Sequence, residues 1–211
     1  VRDRVFLQRG MELAGGSTVQ NRSALVQCME DLYRGFPAEQ TAYEKDSPMF
    51  CPVPHKEGII TPGQVQYVVQ AGMFQAPYTG SMLVTRQILG LDYLWNRLRV
   101  QGGAYGAFAG FTRQGSLYFA SYRDPNLSTT LHAYQGIVNY LKNFHCGEKD
   151  LEKFIIGTIG GMDIPLTPAL RIHTGISRSR TGQTQAMVQK VREEVLETTV
   201  QSIQRLADVV Q

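Results

Sequence analysis

The sequence is poor in the features that mark several common classes of protein. Its three cysteines, Cys28, Cys51 and Cys146, form no CxxC pair. So few and so scattered, they exclude a disulfide framework and favour a reducing compartment; the cytoplasm is the expected location, with a mitochondrion or other organelle as the alternative. No run reaches the roughly 18 apolar residues that a membrane-spanning helix needs, so no membrane partner is expected. An excess of one charge is also missing. The net charge is +3 and the basic residues are dispersed, which leaves nucleic acid without an electrostatic footprint. The opening "VRDRVFLQRG" has neither an initiator Met nor a signal-peptide core, and the sequence reads as a piece of a longer chain.

Catalytic signatures are equally scarce. HExxH and HxxEH are absent, and the four histidines, His55, His132, His145 and His173, include no i, i+4 pair. "HCGEK", His145 to Lys149, places lysine where a second ligand would stand, and a zinc site needs three or four converging ligands. No metal ligand is therefore assigned. There is no GxSxG elbow, and Cys146 beside His145 is only a sequence neighbour. "GGAYG" lacks both the Walker and the GxGxxG spacing. "RSRTGQT" (178–184) has no lysine before its final threonine and reads as a solvated loop.

What is present is a chain of 211 residues, 43% hydrophobic and 18% charged, enough for one domain with an accessory layer. Residues 1–36 show helical spacing through Leu25, Cys28, Met29, Leu32, Tyr33 and Phe36. Pro37, Pro48, Pro52, Pro54 and Pro62 then mark an extended connector. From Gln64, alternation of Val65, Tyr67, Val69, Ala71 and Met73 predicts a strand. A helix over 81–98 follows, with an apolar stripe of Val84, Ile88, Leu91, Trp95 and Leu98. Segments 104–112 and 117–123 form a hairpin around "RQGS". Asp124 is then the expected N-cap and Pro125 the first residue of a helix that ends at Gly147. Further helices run from Glu148 and from about Met187 to the end. The order predicts an α+β fold, a mostly antiparallel sheet covered on one face by helices. Residues 1–63 form a helical and proline-rich connecting segment and 64–211 the domain, with a terminal strand expected beyond Gln211.

One stretch is out of the ordinary: "RVQGGAYGAFAG", from Arg99. Structurally, Arg99 could be a cation at a helix C-terminus, and Tyr105 an aromatic on the strand face of Ala107, Ala109 and Phe111. Functionally, Arg99 and Tyr105 could both donate to one carbonyl oxygen and stabilise charge developing in amide hydrolysis. Gly102, Gly103 and Ala104 between them would leave room for a substrate backbone.

"RVQGGAYGAFAGF" followed by "LYFASYRDPNLSTTL" and "DIPLTP" resembles the carboxy-terminal homology domain of the presequence protease and falcilysin branch of the pitrilysin–insulinase peptidases. The resemblance is dense from about Gln64 to Pro168 and looser in the helical tail. It implies a four-domain zinc peptidase that encloses unfolded peptides in a chamber. Zinc would be bound by an HxxEH motif in the first domain, and the last domain would supply Arg99 and Tyr105 to contact substrate near the scissile bond. This chain, without HxxEH, is then the final domain. It would hold no cofactor of its own and would need the amino-terminal half of the peptidase as partner, so alone it is expected to be inactive. The strand from Gln64 to Phe74 would line the chamber and accept an extended peptide, or else be an ordinary core strand. The competing class is a non-catalytic peptide-binding or scaffold module of a peptidase-like complex. A soluble α+β domain with no peptide role is the third reading.

Overall fold

A computed structural model describes residues 8, 11–38 and 56–211. Pro48, Cys51, Pro52, Pro54 and His55 lie outside the described residues, as does the amino-terminal part of the expected first helix. The chain divides into two compact units, 1–59 with 166–183, and 60–165 with 184–211.

In the first unit, α1 spans Arg22–Arg34 after a short 3-10 turn at Val19–Asn21. Among the described residues, the helix expected over 1–36 is seen at Arg22–Arg34, and residues 11–18 are non-helical. A later helix of this unit, Pro168–Arg180, has Pro168 in its first turn and is capped by Thr167, whose side chain accepts from the Leu170 amide at 3.3 Å. The stretch 178–184, expected as a solvated loop, is helical as far as Arg180 and non-helical from Thr181 to Thr184. In the helix Pro168–Arg180, half-buried Ile172, Thr174, Ile176 and Arg178 alternate with exposed residues, so the apolar positions are too few to announce a helical stripe. Arg180 pairs with Glu12 at 3.0 Å.

The second unit is α+β. Strand β1 (Gln66–Met73), β2 (Gly106–Phe111) and β3 (Ser116–Asp124) form an antiparallel sheet in the order β1-β3-β2. Val69, Ala120 and Phe108 lie in one cross-strand row, and Ala71, Tyr118 and Gly110 in the next. Period-2 alternation sends neighbouring residues to opposite faces. Val68, Ala109, Phe111, Leu117 and Phe119 point into the core, while Tyr67, Val69, Met73, Phe108 and Tyr118 are exposed. The alternating residues of β1 thus share a face, and that face is the uncovered one.

Helices cover the buried face. α2 (Gly80–Ile88) starts with the Gly80 amide donating to Glu194 Oε2 at 2.8 Å, which ties its first turn to a distant helix. Its axis continues through π-helical turns at Leu89–Tyr93 and Trp95–Val100. There the amides of Leu94 and Gln101 donate five residues back, to Leu89 and Asn96. After the sheet come α3 (Ser128–Gln135), α4 (Ile137–Lys142) and α5 (Glu148–Met162). With α6 assigned to Pro168–Arg180, the unit closes with α7 (Gln185–Leu196), α8 (Val200–Arg205) and α9 (Ala207–Val210). Tyr134 of α3 seats its ring 5.9 Å from Phe119 and donates its hydroxyl to the Val68 carbonyl at 3.0 Å.

Two expected boundaries move. The helix after the hairpin begins at Ser128, and Asp124 ends β3 instead of capping it. Asp124 is buried because its carboxylate is used locally, accepting from the Asn126 amide at 2.8 Å and the Thr130 hydroxyl at 2.7 Å. The same region's helix stops at Lys142, and Gly147 is the N-cap of α5 rather than a terminator.

Candidate functional site

The helix beginning at Gly80 owes its outward face to its π turns. A π turn holds more residues than an α turn and shifts every later side chain around the axis. The expected buried stripe continued from Ile88 through Leu91 and Trp95. Instead Leu91 and Trp95 face solvent at 57% and 41% exposure and Leu89 and Leu94 are buried at 0%, while Leu98, the last residue of the expected stripe, is buried as expected at 1%. Trp95 is therefore a surface residue, contrary to its place in the predicted core stripe.

Exposure puts Trp95 beside Arg99, one turn on. The guanidinium carbon of Arg99 lies 4.2 Å from the Trp95 ring centroid and 5.7 Å from the Tyr105 ring centroid. Both distances are within reach of a cation–π attraction. Tyr105 is 61% exposed and meets Tyr122 edge to face, with centroids 5.4 Å apart at 85°. Tyr122 in turn lies 5.3 Å from Tyr67 of β1. Five side chains, two from the helix end, one from the turn before β2 and one each from β3 and β1, thus form one continuous strip.

Between Arg99 and Tyr105 the chain reverses tightly. The amide of Gly103 donates to the Arg99 carbonyl at 3.1 Å and that of Ala104 to the Leu98 carbonyl at 2.8 Å. Gly103 sits at φ 77°, where a side chain is strained. A Cβ on Gly102 would lie 2.6 Å from the Leu98 carbonyl oxygen, so this position has no room for one. Ala104 is buried, and Tyr105 then enters the sheet, its amide donating to the Tyr122 carbonyl at 3.1 Å.

The "RDPN" loop holds that reversal from outside. Asn126 Nδ2 donates to the Gly102 carbonyl at 2.6 Å, and Asp124 fixes Asn126 through its backbone amide. Arg123, between Tyr122 and Asp124, takes φ 47°, a left-handed conformation uncommon outside glycine. The two conspicuous sequence stretches therefore meet.

The structure brings together Arg99 and Tyr105, with exposed Gly103 beside them, and places the Ala104 side chain in the core. Trp95, Tyr122 and Asn126 belong to the same constellation and were not singled out from sequence. The i, i+4 spacing of Trp95 and Arg99 was the available signal.

Nothing in the described residues fits a zinc ion. No three His, Cys, Asp or Glu side chains converge among them, and His132, His145 and His173 are each exposed on a different segment. Burial, reinforced by Asp150, pushes the Cys146 thiol up from its ordinary pKa, away from the thiolate a nucleophile needs. No helix among the described residues is long and apolar enough to cross a membrane.

Residues 56–211 match the PreP C-terminal domain family. The chain is 39% identical over 171 residues to Protein HypA of Clostridium perfringens, covering 80% of this chain and 18% of that protein. It is 37% identical over 158 residues to presequence protease 1, chloroplastic/mitochondrial, of Arabidopsis thaliana, covering 73% of this chain and 15% of that one. It thus spans less than a fifth of the length of these relatives. Among solved structures, a peptidase M16 inactive domain from Pseudomonas fluorescens aligns over 68% of this chain and 36% of its own, with TM-score 0.53 and 19% identity. A protease from Helicobacter pylori aligns over 92% and 50%, with TM-score 0.55 and 12% identity. These two likenesses concern the fold.

Proposed function

Because this chain belongs to the presequence-protease C-terminal domain family, we propose that it is the substrate-contacting, non-zinc-binding domain of a longer zinc-dependent oligopeptidase that degrades unfolded peptides. The observation that carries this reading is the exposed pairing of Arg99 and Tyr105, 5.7 Å from guanidinium carbon to ring centroid, on a turn whose glycines are structurally required.

In this reading the guanidinium and the phenol O–H donate to the carbonyl oxygen of the scissile peptide or its immediate neighbour. Donors aimed at an oxygen where negative charge develops lower the barrier most when they are fixed beforehand. The helix end fixes Arg99 and the first residues of the sheet fix Tyr105. Exposed Gly103, with only Pro125 Cγ near a hypothetical Cβ at 3.6 Å, leaves the backbone open to an extended peptide beside the pair. Zinc and its ligands belong to the amino-terminal half of the parent enzyme, so no step is assigned to the metal here, and this chain alone is inactive.

The test is kinetic, on the full-length enzyme carrying this chain, with an unstructured quenched peptide. Arg99→Ala and Tyr105→Phe each lower kcat on the order of 100- to 1000-fold, the usual effect of losing such a donor, while folding and zinc content hold. Unchanged kcat in both variants would reduce the pair to architecture and favour a scaffold role.

A further inference from the structure

We propose that Trp95 is a positioning residue for Arg99: it holds the guanidinium in place for substrate by stacking, without touching substrate itself. The proposal rests on the substrate-contact reading above. Arg99 is exposed and has no ion-pair partner among the described residues. A long cationic side chain in that situation samples many rotamers, and each must be given up when it binds. Among the described residues, the feature that singles out a rotamer is the indole face at 4.2 Å, closer than the Tyr105 ring at 5.7 Å. Indole is the strongest of the aromatic partners for a cation.

A role for Trp95 in the core is at odds with its surroundings. It is 41% exposed on a helix whose Leu94 and Leu98 are 0% and 1% exposed, and the π turns carry it out of the buried stripe. Tyr105 in turn meets the Tyr122 ring edge to face at 5.4 Å. Each donor thus has its own aromatic neighbour, Arg99 on its own helix and Tyr105 on β3.

A double-mutant cycle in the full-length enzyme tests this. Trp95→Ala is expected to lower kcat about two- to five-fold, the kinetic equivalent of an exposed cation–π contact, with KM little changed. Trp95→Phe retains most of the rate, because a ring remains. In an Arg99→Ala background, Trp95→Ala has no further effect. An equal loss from Trp95→Ala in both backgrounds overturns the proposal, since Trp95 would then act through the fold, and so does a Trp95→Ala enzyme with normal kcat. A normal kcat in Arg99→Ala alone instead sinks the substrate-contact reading on which the proposal stands.

Discussion

Asn126 donates its side-chain amide to the carbonyl oxygen of Gly102 at 2.6 Å, across 24 residues of sequence. Gly102 lies where the helix bearing Arg99 ends, and Asn126 follows the strand bearing Tyr122. One bond therefore links the two halves of the site, and Asp124 anchors it by accepting from both the Asn126 amide and the Thr130 hydroxyl.

Removing that link has a definite cost. Asn126→Ala should destabilise the chain by about 1 kcal/mol, the net worth of a typical hydrogen bond. Asn126→Asp should cost more, because a carboxylate oxygen would face the Gly102 carbonyl. Urea denaturation of the three proteins checks the order; an unchanged midpoint for both variants would show the bond to be inert.

Backbone geometry gives a second contrast. Gly103 is at φ 77°, so Gly103→Ala should cost roughly 1–2 kcal/mol, with Asn at this position costing less. Gly90 lies in the helix with nothing within 4 Å of an added Cβ. There Ala should be neutral or stabilising by up to about 1 kcal/mol. Thermal melts that rank these two alanine variants the other way would contradict the described turn.

Alkaline pH should weaken the fold. Burial pushes Tyr134 up to about 12 from the ordinary 10.0, and burial together with the Asp92 carboxylate also pushes Tyr140 up. Between these values the unfolded chain has lost a proton that the folded chain keeps, so stability is full below pH 10 and declines as pH rises toward 12. For Tyr134 alone the loss is roughly 3 kcal/mol. Tyr134→Phe should be less stable at neutral pH, lacking the bond to the Val68 carbonyl, yet show a shallower alkaline decline. Parallel pH–stability curves for the two proteins would refute this assignment.

The sequence contains a single tryptophan, and that residue is the one stacked on Arg99. Intrinsic fluorescence of this chain should therefore change in intensity with Arg99→Ala and stay as it is with Arg97→Ala, two residues away. Identical spectra for all three would mean the guanidinium does not rest on the indole.

Much of this architecture was legible because it follows local rules. The hairpin announced itself through alternation on both sides of "RQGS", and the helix over 81–98 through its apolar spacing. Its buried face was legible at Ile88 and Leu98 but not between them, since a 3.6-residue period points to Leu91 and Trp95, whereas i→i+5 bonding buries Leu89 and Leu94. Asp124 was misjudged for a related reason. Asp before Pro satisfies the rule for a helix start, but the partners that keep its carboxylate in the interior, Asn126 and Thr130, only become visible in three dimensions. Arg99 and Tyr105 could be named from the sequence as a pair of donors, while the ring that stacks on Arg99 was hidden behind the same misplaced stripe.

The π turns have one more consequence, which concerns chain length rather than chemistry. In an α-helix one residue more or fewer turns everything beyond it by about 100°. Deleting Gly90 would instead let the Leu89–Tyr93 turn rewind as an ordinary α turn, with Leu89 and Leu94 four residues apart in place of five, so that Leu94, Leu98 and Arg99 keep their direction. The aim of the guanidinium is thus encoded in a residue count: the π turn is where the helix can lose one residue, whereas a deletion within Gly80–Ile88, which is α-helical, would rotate Arg99 away from Tyr105.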